Sequence, residues 1–516
     1  MALIDEPDLW SLIEARSDET PDRTFLIDER ENSIRFDEFR DRALRVAAGL
    51  AQIGVSSGDR VSWQLPTWIE SAILVGALAR LGAVQNPILP IYREREMRHI
   101  IGQVRPRLLV VPSRWRGFDY PVMAEAVMAD SDGDVLVCDR RLPEADPATL
   151  PDAPPGSSPD GRDPDDVRFI LYTSGTTSAA KGALHSDASI SAGAVGVCSS
   201  LRVGPEDRWA IPYPFTHISG IAMLKVFLMS GSSAIFIEAF DDGSPELMGR
   251  LGCTIAAGGT PLVLRYLDLQ RRRPDRPLFP GLKAAMAGAA PKPPQLHGEV
   301  RDEMGGLGVV SCYGSTEVPF LSVSTTEDSD DQLAGSEGRI CRTAEVKIAD
   351  EHGDPLPAGV AGEIRVKGPQ VCLGYLDDSL DAEAFDAEGF FRTGDLGSLD
   401  ADDYLTITGR LKDVIIRKGE NISAKEIEDV LYGHPGIAEA AVIGLPDRER
   451  GERCCVVAVA TGASRPTLKE ITAFCREEGL AVHKIPEQLE WVDEFPRNAS
   501  GKVLKFELRE RFESST

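Results

Sequence analysis

At 516 residues, with 42% hydrophobic and 27% charged side chains, the chain has an ordinary globular composition and enough length for two or more domains. Its net charge of −26 argues against a nucleic-acid partner, because binding a phosphate backbone needs a basic face. Nine scattered cysteines with no CxxC pair argue against a disulfide framework, and seven histidines without HExxH spacing argue against zinc, so that a metal, if present, would be carboxylate-held Mg2+.

The opening residues, MALIDEPDLW, lack the basic-then-apolar order of a signal peptide, and the tail FESST matches neither a retention nor a peroxisomal signal. The most apolar segment, Ala72 to Leu81, is short and carries Arg80, so no stable membrane insertion is expected and the chain reads as cytoplasmic. From Val61 to Gly314, apolar runs at 108–112, 135–138, 234–237, 254–257 and 309–312 read as buried strands. Helical patterns at 68–81, 261–270 and 295–304 lie between some of them, and this alternation predicts parallel-type sheets flanked by helices. The stretch from Asp146 to Asp166, rich in Pro, Asp, Gly and Ser, reads as an exposed loop ahead of a strand at Val167–Leu171. After Gly338, alternation at Ala344, Val346, Ile348, Ile364 and Val366 predicts antiparallel strands in a small β-barrel-like part.

Near Gly409 a second unit begins. Ser423 and Glu426 form a capping box for a helix with Ile427, Val430 and Leu431 on one face. Strands at 441–443 and 455–459, and a helix over 468–478, complete an α+β module of about 100 residues. The expected fold is therefore α/β, with an N-terminal domain over 1–409, a hinge at 410–413 and a small C-terminal α+β domain over 414–516. The basic cluster of Arg410, Lys412, Arg417, Lys418 and Lys425 offers local focusing for anionic ligands in an otherwise acidic chain.

Five motifs carry chemistry. In YTSGTTSAAKG, Tyr172 to Gly182, the hydroxyls of Thr173, Ser174, Thr176, Thr177 and Ser178 surround Gly175, and Lys181 follows. A glycine-loosened, hydroxyl-rich turn ending in a lysine suits a polyphosphate. It is not a Walker A loop, since Ala180 precedes and Gly182 follows the lysine; taken alone, it could also be a polar surface loop. In Tyr313-Gly314-Ser315-Thr316-Glu317, a carboxylate just past a strand end is placed to hold Mg2+, Thr316 to donate to a phosphate and Tyr313 to stack on a purine, with a plain strand-to-loop turn as the alternative. Asp395, on the turn of Arg392–Leu396, can accept from both hydroxyls of a ribose or simply close an Asx turn. Arg410 offers a rigid fork of donors, and Gly419 would let a thin ligand approach the backbone, although a charged hairpin edge also explains Lys418 and Glu420. Lys502 follows Gly501 ahead of a helical stretch at 503–511, where an isolated lysine is by default a solvated tail charge. Further back, Pro212 to His217 holds a lone histidine, a residue type more often structural than functional in such a setting.

In this order, and over nearly the whole chain, the motifs resemble those of the adenylate-forming superfamily of acyl-CoA synthetases, nonribosomal adenylation domains and luciferases. Its signature loop is usually YTSGTTGxPKG; here Ser178 replaces a glycine and Ala180 a proline. The resemblance implies that the loop from Thr173 to Lys181 handles phosphates, that Tyr313 and Gly314 meet the adenine, and that Thr316 and Glu317 meet phosphate and Mg2+. It makes Asp395 the ribose ligand, Lys412 the hinge residue, and Lys418 and Gly419 neighbours of the pantetheine arm of coenzyme A. Lys502 would bridge the acid and the ATP phosphates, while Lys505 stands where arginine is commoner. Phe215 and His217 match an aromatic gate, with Thr216 intervening. A wall of Phe215, Gly220, Ile221, Gly288 and Ala289 suits a hydrophobic acid, medium-chain or alicyclic, and the run Asn86–Glu96 is similar to that of cyclohexanecarboxylate ligases. No Asp or Glu lies between Ile211 and Ser230, which counts against an amino acid.

The implied activity is that of an AMP-forming acyl-CoA ligase using ATP, Mg2+ and coenzyme A, with a homodimer as a candidate assembly. The alternatives are an adenylation domain or acyl-AMP ligase serving a carrier protein, and a non-catalytic nucleotide-binding scaffold.

Overall fold

Two mainly parallel sheets occupy the larger part of the chain in the computed structural model, which describes residues 3–153, 166–173, 180–418, 420–462, 464–498 and 501–513. The first has nine strands in the order Arg339–Ile340, Ser322–Val323, Val309–Tyr313, Ala284–Ala287, Ile255–Ala257, Arg208–Ile211, Ser233–Phe236, Thr24–Asp28 and Ser33–Arg35. Its pairs are parallel from Val309–Tyr313 through to Thr24–Asp28 and antiparallel at both edges. The second runs Gly182–Ser186, Val167–Tyr172, Val84–Pro87, Arg60–Trp63, Leu108–Val111 and Asp134–Val137, and only its first pair is antiparallel. Inner strands such as Ser233–Phe236 and Ala284–Ala287 are buried at every position, which is why they read as unbroken apolar runs rather than alternating ones.

The helices between the strands follow from the same logic. Ile69–Leu81 is buried over most of its length and stops at Gly82, whose φ of 67° only glycine adopts without cost. Ile218–Ser230 is apolar nearly all round and lies in the core, closed at Gly231. One charge enters that core: Lys225 is fully buried and donates to Asp187 Oδ1 at 2.6 Å and to Ser191 Oγ at 3.0 Å. No helix among the described residues is long and apolar enough to cross a membrane.

The barrel-like part is a four-stranded antiparallel meander, Glu345–Ala349, Gly362–Lys367, Phe391–Leu399 and Leu405–Arg410. Beyond it, a five-stranded sheet carries Ala424–Tyr432 and Leu468–Glu477 against one core, with Ile415, Ile427, Leu431 and Ile471. Lys505–Glu513 contributes Leu508 and Phe512 to a second core with Ile443 and Leu445. Ser423 accepts from the Glu426 backbone N–H, the first half of the expected capping box. The Glu426 carboxylate does not return to the cap; Lys484 engages both its oxygens at 2.7 and 2.6 Å, a stronger partner than a backbone amide. Of the loop expected over 146–166, residues 154–165 lie outside the described residues, and Pro147–Thr149 forms a 3-10 turn.

Candidate active site

A cavity of about 510 Å3 lies where the large sheet, the meander and the C-terminal unit meet, and its wall includes Gly288, Ala289, Tyr313, Asp395, Arg410, Lys412 and Lys502. Asp395 is part of this wall. Antiparallel pairing of Phe391–Leu399 with Leu405–Arg410 sets Asp395 opposite Arg410, and Arg410 Nε reaches Asp395 Oδ1 at 2.6 Å. Tyr313, on the last position of Val309–Tyr313, donates its hydroxyl to Oδ2 at 2.7 Å. Thr393 fixes the turn, accepting from Asp395 N at 3.1 Å and donating to Ile364 O at 2.7 Å. Burial, reinforced by the adjacent Asp395 carboxylate, raises the Tyr313 phenol well above its ordinary value, so it stays a donor. A carboxylate held between a hydroxyl and a guanidinium is a preformed acceptor for the two hydroxyls of a sugar.

Lys502 faces the same cavity from the C-terminal unit. Burial lowers its ammonium to about 8, and the nearby Arg410 charge pushes the same way, against Asp395 and Asp413. Its backbone N–H donates to Asn498 Oδ1 at 2.9 Å. Lys412 is exposed on the cavity rim, and its neighbour Asp413 is tied to the terminal helix by Arg509 at 2.8 Å. Tyr432 joins the two units once more, donating to Glu299 at 3.1 Å. Lys418 sits on an exposed turn with φ of 53°, its N–H bonded to Arg450 O at 2.7 Å, and is not part of the cavity wall. Gly419 lies outside the described residues, as do Ser174, Gly175, Thr176 and Thr177.

The ends of the segment from Thr173 to Lys181 are described. Thr173 N donates to Lys181 O at 2.9 Å and Lys181 N to Thr173 Oγ1 at 3.2 Å, which closes the loop at its base. Lys181 Nζ stands 5.1 Å from the ring centre of Tyr375, and Tyr375 Oη donates to Glu317 Oε1 at 2.8 Å. Tyr375 lies outside the five motifs read from the sequence and meets Glu317 only through the tertiary fold. Thr316 is held through its carbonyl, which accepts from His185 Nε2 at 2.8 Å. Burial lowers that imidazole to about 4, so the ring is neutral, with its proton on Nε2. Gly314 has a steric reason: a Cβ there would stand 2.6 Å from Phe320 N.

The acid-side residues divide. Gly288 and Ala289 line the large cavity, and a Cβ on Gly288 would meet Cys312 O at 2.9 Å. Phe215 instead points into the core, 5.1 Å from Phe236 and 6.3 Å from Trp63 between ring centres. Ile221 is fully buried, and Gly220 lets its helix pack on the Phe215 carbonyl, 2.3 Å from where a Cβ would be. His217 caps the helix Ile218–Ser230, accepting from Ser219 N at 3.3 Å, and burial lowers its imidazole to about 4. It borders a gap of only about 10 Å3 together with Leu89, Tyr92 and Thr316, room for a single water.

The AMP-binding enzyme family matches residues 13–376, and the AMP-binding enzyme C-terminal domain matches residues 426–502. The chain belongs to the AMP-binding enzyme family. Medium-chain fatty-acid–CoA ligase of Escherichia coli (strain K12) is 30% identical over 95% of this chain and 88% of its own length. Sulfoacetate–CoA ligase of Cupriavidus necator is 32% identical, covering 97% of each. Among solved structures, O-succinylbenzoate coenzyme A synthetase from Bacillus subtilis, in complex with ATP and magnesium ion, superposes with a TM-score of 0.82 at 28% identity, over 96% of this chain and 98% of that one. This AMP-binding enzyme is thus an ATP-dependent ligase of the acyl-CoA synthetase type.

The donor set fits magnesium that arrives with its nucleotide. Among the described residues, no group of three or more His, Cys, Asp and Glu side chains could hold a metal by itself. Glu317 presents a single carboxylate, bonded to the hydroxyl of the same Tyr375 whose ring Lys181 approaches, and Mg2+ is commonly bound by one or two carboxylates together with waters and substrate phosphates.

Proposed function

We propose that this enzyme activates a hydrophobic carboxylic acid, medium-chain or alicyclic, as an acyl adenylate and then transfers the acyl group to coenzyme A. The observation that carries the first step is the convergence of Tyr313, Asp395, Arg410 and Lys502, from four separate stretches of chain, on one cavity. A carboxylate oxygen of the acid attacks the α-phosphorus of ATP, and pyrophosphate leaves. The thiol sulfur of coenzyme A then attacks the acyl carbon, AMP leaves, and the thiol proton passes to solvent.

Each residue has a defined share. Asp395 takes the ribose hydroxyls, Tyr313 and Gly314 border the base, and Arg410 reaches the ribose or a phosphate. Lys502 places its positive charge between the acid and the α-phosphate, while Lys181 and Thr316 hold the departing phosphates. Magnesium at Glu317 would supply neutralisation of the phosphate charge. Such a site accelerates the reaction by positioning and charge stabilisation, with no covalent enzyme intermediate.

Residues 1–409 and 414–516 act as two domains about a hinge at 410–413. Between the steps the smaller one rotates about Lys412, withdrawing Lys502 and bringing Gly419 to the pantetheine arm. The apolar wall of Leu264, Gly288, Ala289 and Cys312 favours a hydrophobic acid, and the absence of Asp and Glu between Ile211 and Ser230 counts against an amino acid. The relatives named above act on acids as different as medium-chain fatty acids and sulfoacetate, so kinship alone leaves the acid open.

Two variants test the reading. Lys502→Ala should abolish acid-dependent pyrophosphate release while sparing thioester formation from supplied acyl adenylate, and Lys412→Pro should do the reverse. Equal loss of both steps in Lys502→Ala would remove the alternation. A screen of straight-chain, alicyclic, aromatic and steroid acids, with AMP measured with and without coenzyme A, identifies the substrate. AMP formation that ignores coenzyme A but responds to a carrier protein would favour the acyl-AMP ligase alternative.

A further inference from the structure

Tyr375 connects two residues that stand far apart in the sequence. Its ring lies 5.1 Å from Lys181 Nζ, and its hydroxyl donates to Glu317 Oε1 at 2.8 Å. The backbone that carries it is fixed from three directions. Residues 372–376 run beside the strand Gly182–Ser186, through Leu373 N to Leu184 O at 2.8 Å, Leu184 N to Gly374 O at 2.9 Å and Leu376 N to Gly182 O at 2.8 Å. Cys372 N donates to Glu317 O at 2.8 Å, so the same segment also holds the main chain of the carboxylate it serves. Tyr375 N donates to Asp381 Oδ1 at 2.9 Å, and the preceding Gly374, at φ of 128°, leaves room for that carboxylate where a Cβ would come within 2.6 Å of Oδ2.

The choice of partner matters chemically. Tyr375 is buried, and its hydroxyl is the donor in the bond to Glu317 Oε1. A neutral hydroxyl on one oxygen orients the carboxylate without cancelling its charge, as a lysine or arginine would. Among the described residues, the Tyr375 hydroxyl on Oε1 is the one hydrogen-bond partner of the Glu317 carboxylate. The Tyr375 hydroxyl thus fixes the direction of the carboxylate through one oxygen, and among the described residues the other oxygen has no hydrogen-bond donor.

We propose that Tyr375 is a positioning residue for the metal–nucleotide complex: its hydroxyl aims the Glu317 carboxylate at a divalent cation, and its ring seats Lys181 for the phosphates. This rests on the reading of Glu317 as the magnesium carboxylate. Calorimetric binding of α,β-methylene-ATP, once with Mg2+ and once with EDTA, measures how much the metal contributes to nucleotide affinity without any turnover. Glu317→Gln and Tyr375→Phe should each cut the Mg2+-dependent gain about tenfold, the scale of one hydrogen bond to a charged group, and Tyr375→Phe should leave binding in EDTA unchanged. Tyr375→Leu, which also removes the ring, should weaken binding in EDTA a further two- to threefold, about what a partly exposed cation–π contact supplies. The Glu317→Gln/Tyr375→Phe double variant should be no worse than Glu317→Gln alone, because both changes act on one carboxylate.

If Glu317→Gln cuts the gain and Tyr375→Phe does not, the role of Tyr375 is refuted and that of Glu317 stands. If Glu317→Gln leaves the gain intact, the magnesium reading itself falls, and the inference with it. Equal weakening of Tyr375→Phe in Mg2+ and in EDTA, or full additivity in the double variant, would also overturn it. Urea unfolding midpoints near that of the parent protein confirm that Tyr375→Phe is folded.

Discussion

The depressed ammonium of Lys502 makes a sharp prediction for pH. With its value lowered from 10.5 to about 8 by burial and Arg410, roughly nine-tenths of Lys502 is charged at pH 7 and roughly one-tenth at pH 9. The charged form is the one that can bridge an acid and a phosphate, so adenylation should fall as pH rises through about 8. The quantity to measure is kcat/KM for ATP, from acid-dependent pyrophosphate release between about pH 6 and 10, because it reports groups of the free enzyme. Above the bend, kcat/KM should drop about tenfold per pH unit. Lys502→Arg keeps its charge over this range and should give a lower but flat profile. Arg410→Gln removes a like charge beside the ammonium and should move the bend to higher pH, whatever it does to the plateau. A parent profile that stays flat to about pH 9.5, or a bend that persists in Lys502→Arg, would refute the assignment.

Three further outcomes follow from other parts of the molecule. Asp187→Ala leaves the fully buried Lys225 ammonium without its carboxylate and should cost about 3–5 kcal/mol in urea unfolding, whereas replacing both residues by apolar ones should cost much less. His185 and His217 are neutral in the fold, with values near 4 against 6.5 for a free imidazole. Their contribution to stability is therefore complete above about pH 6.5 and lost as pH falls toward about 4, and His185→Gln should flatten that part of the stability profile. Tyr432→Phe removes the bond to Glu299 that joins the C-terminal unit to the helix Leu296–Met304. Single-turnover assays should show adenylation slowed about threefold, with thioester formation from supplied acyl adenylate unchanged.

The sequence by itself determined what local chemistry can determine. Unbroken apolar runs marked strands such as Ser233–Phe236 because both faces of a parallel sheet are covered. Glycine, hydroxyl and lysine at fixed spacing marked the loop from Thr173 to Lys181, because an anion-binding turn needs those residue types next to one another. Asp395 and Arg410 were legible as separate residues, but only strand register set them opposite one another at 2.6 Å.

What the tertiary structure decided is everything that depends on partners remote in the chain. Glu426 fits a capping box by spacing, yet Lys484, 58 residues away, takes its carboxylate. Phe215 and Ile221 were expected on the pocket wall, but an aromatic side chain beside a small cavity gains more from packing on Trp63 and Phe236 than from lining open space. Tyr375 lies outside the five motifs read from the sequence, and its contacts with Glu317 and Lys181 arise from a segment that pairs with a strand nearly two hundred residues earlier. Spacing along the chain reports which neighbours a residue can reach locally; which distant group satisfies a buried donor or charge is fixed only when the sheets are assembled.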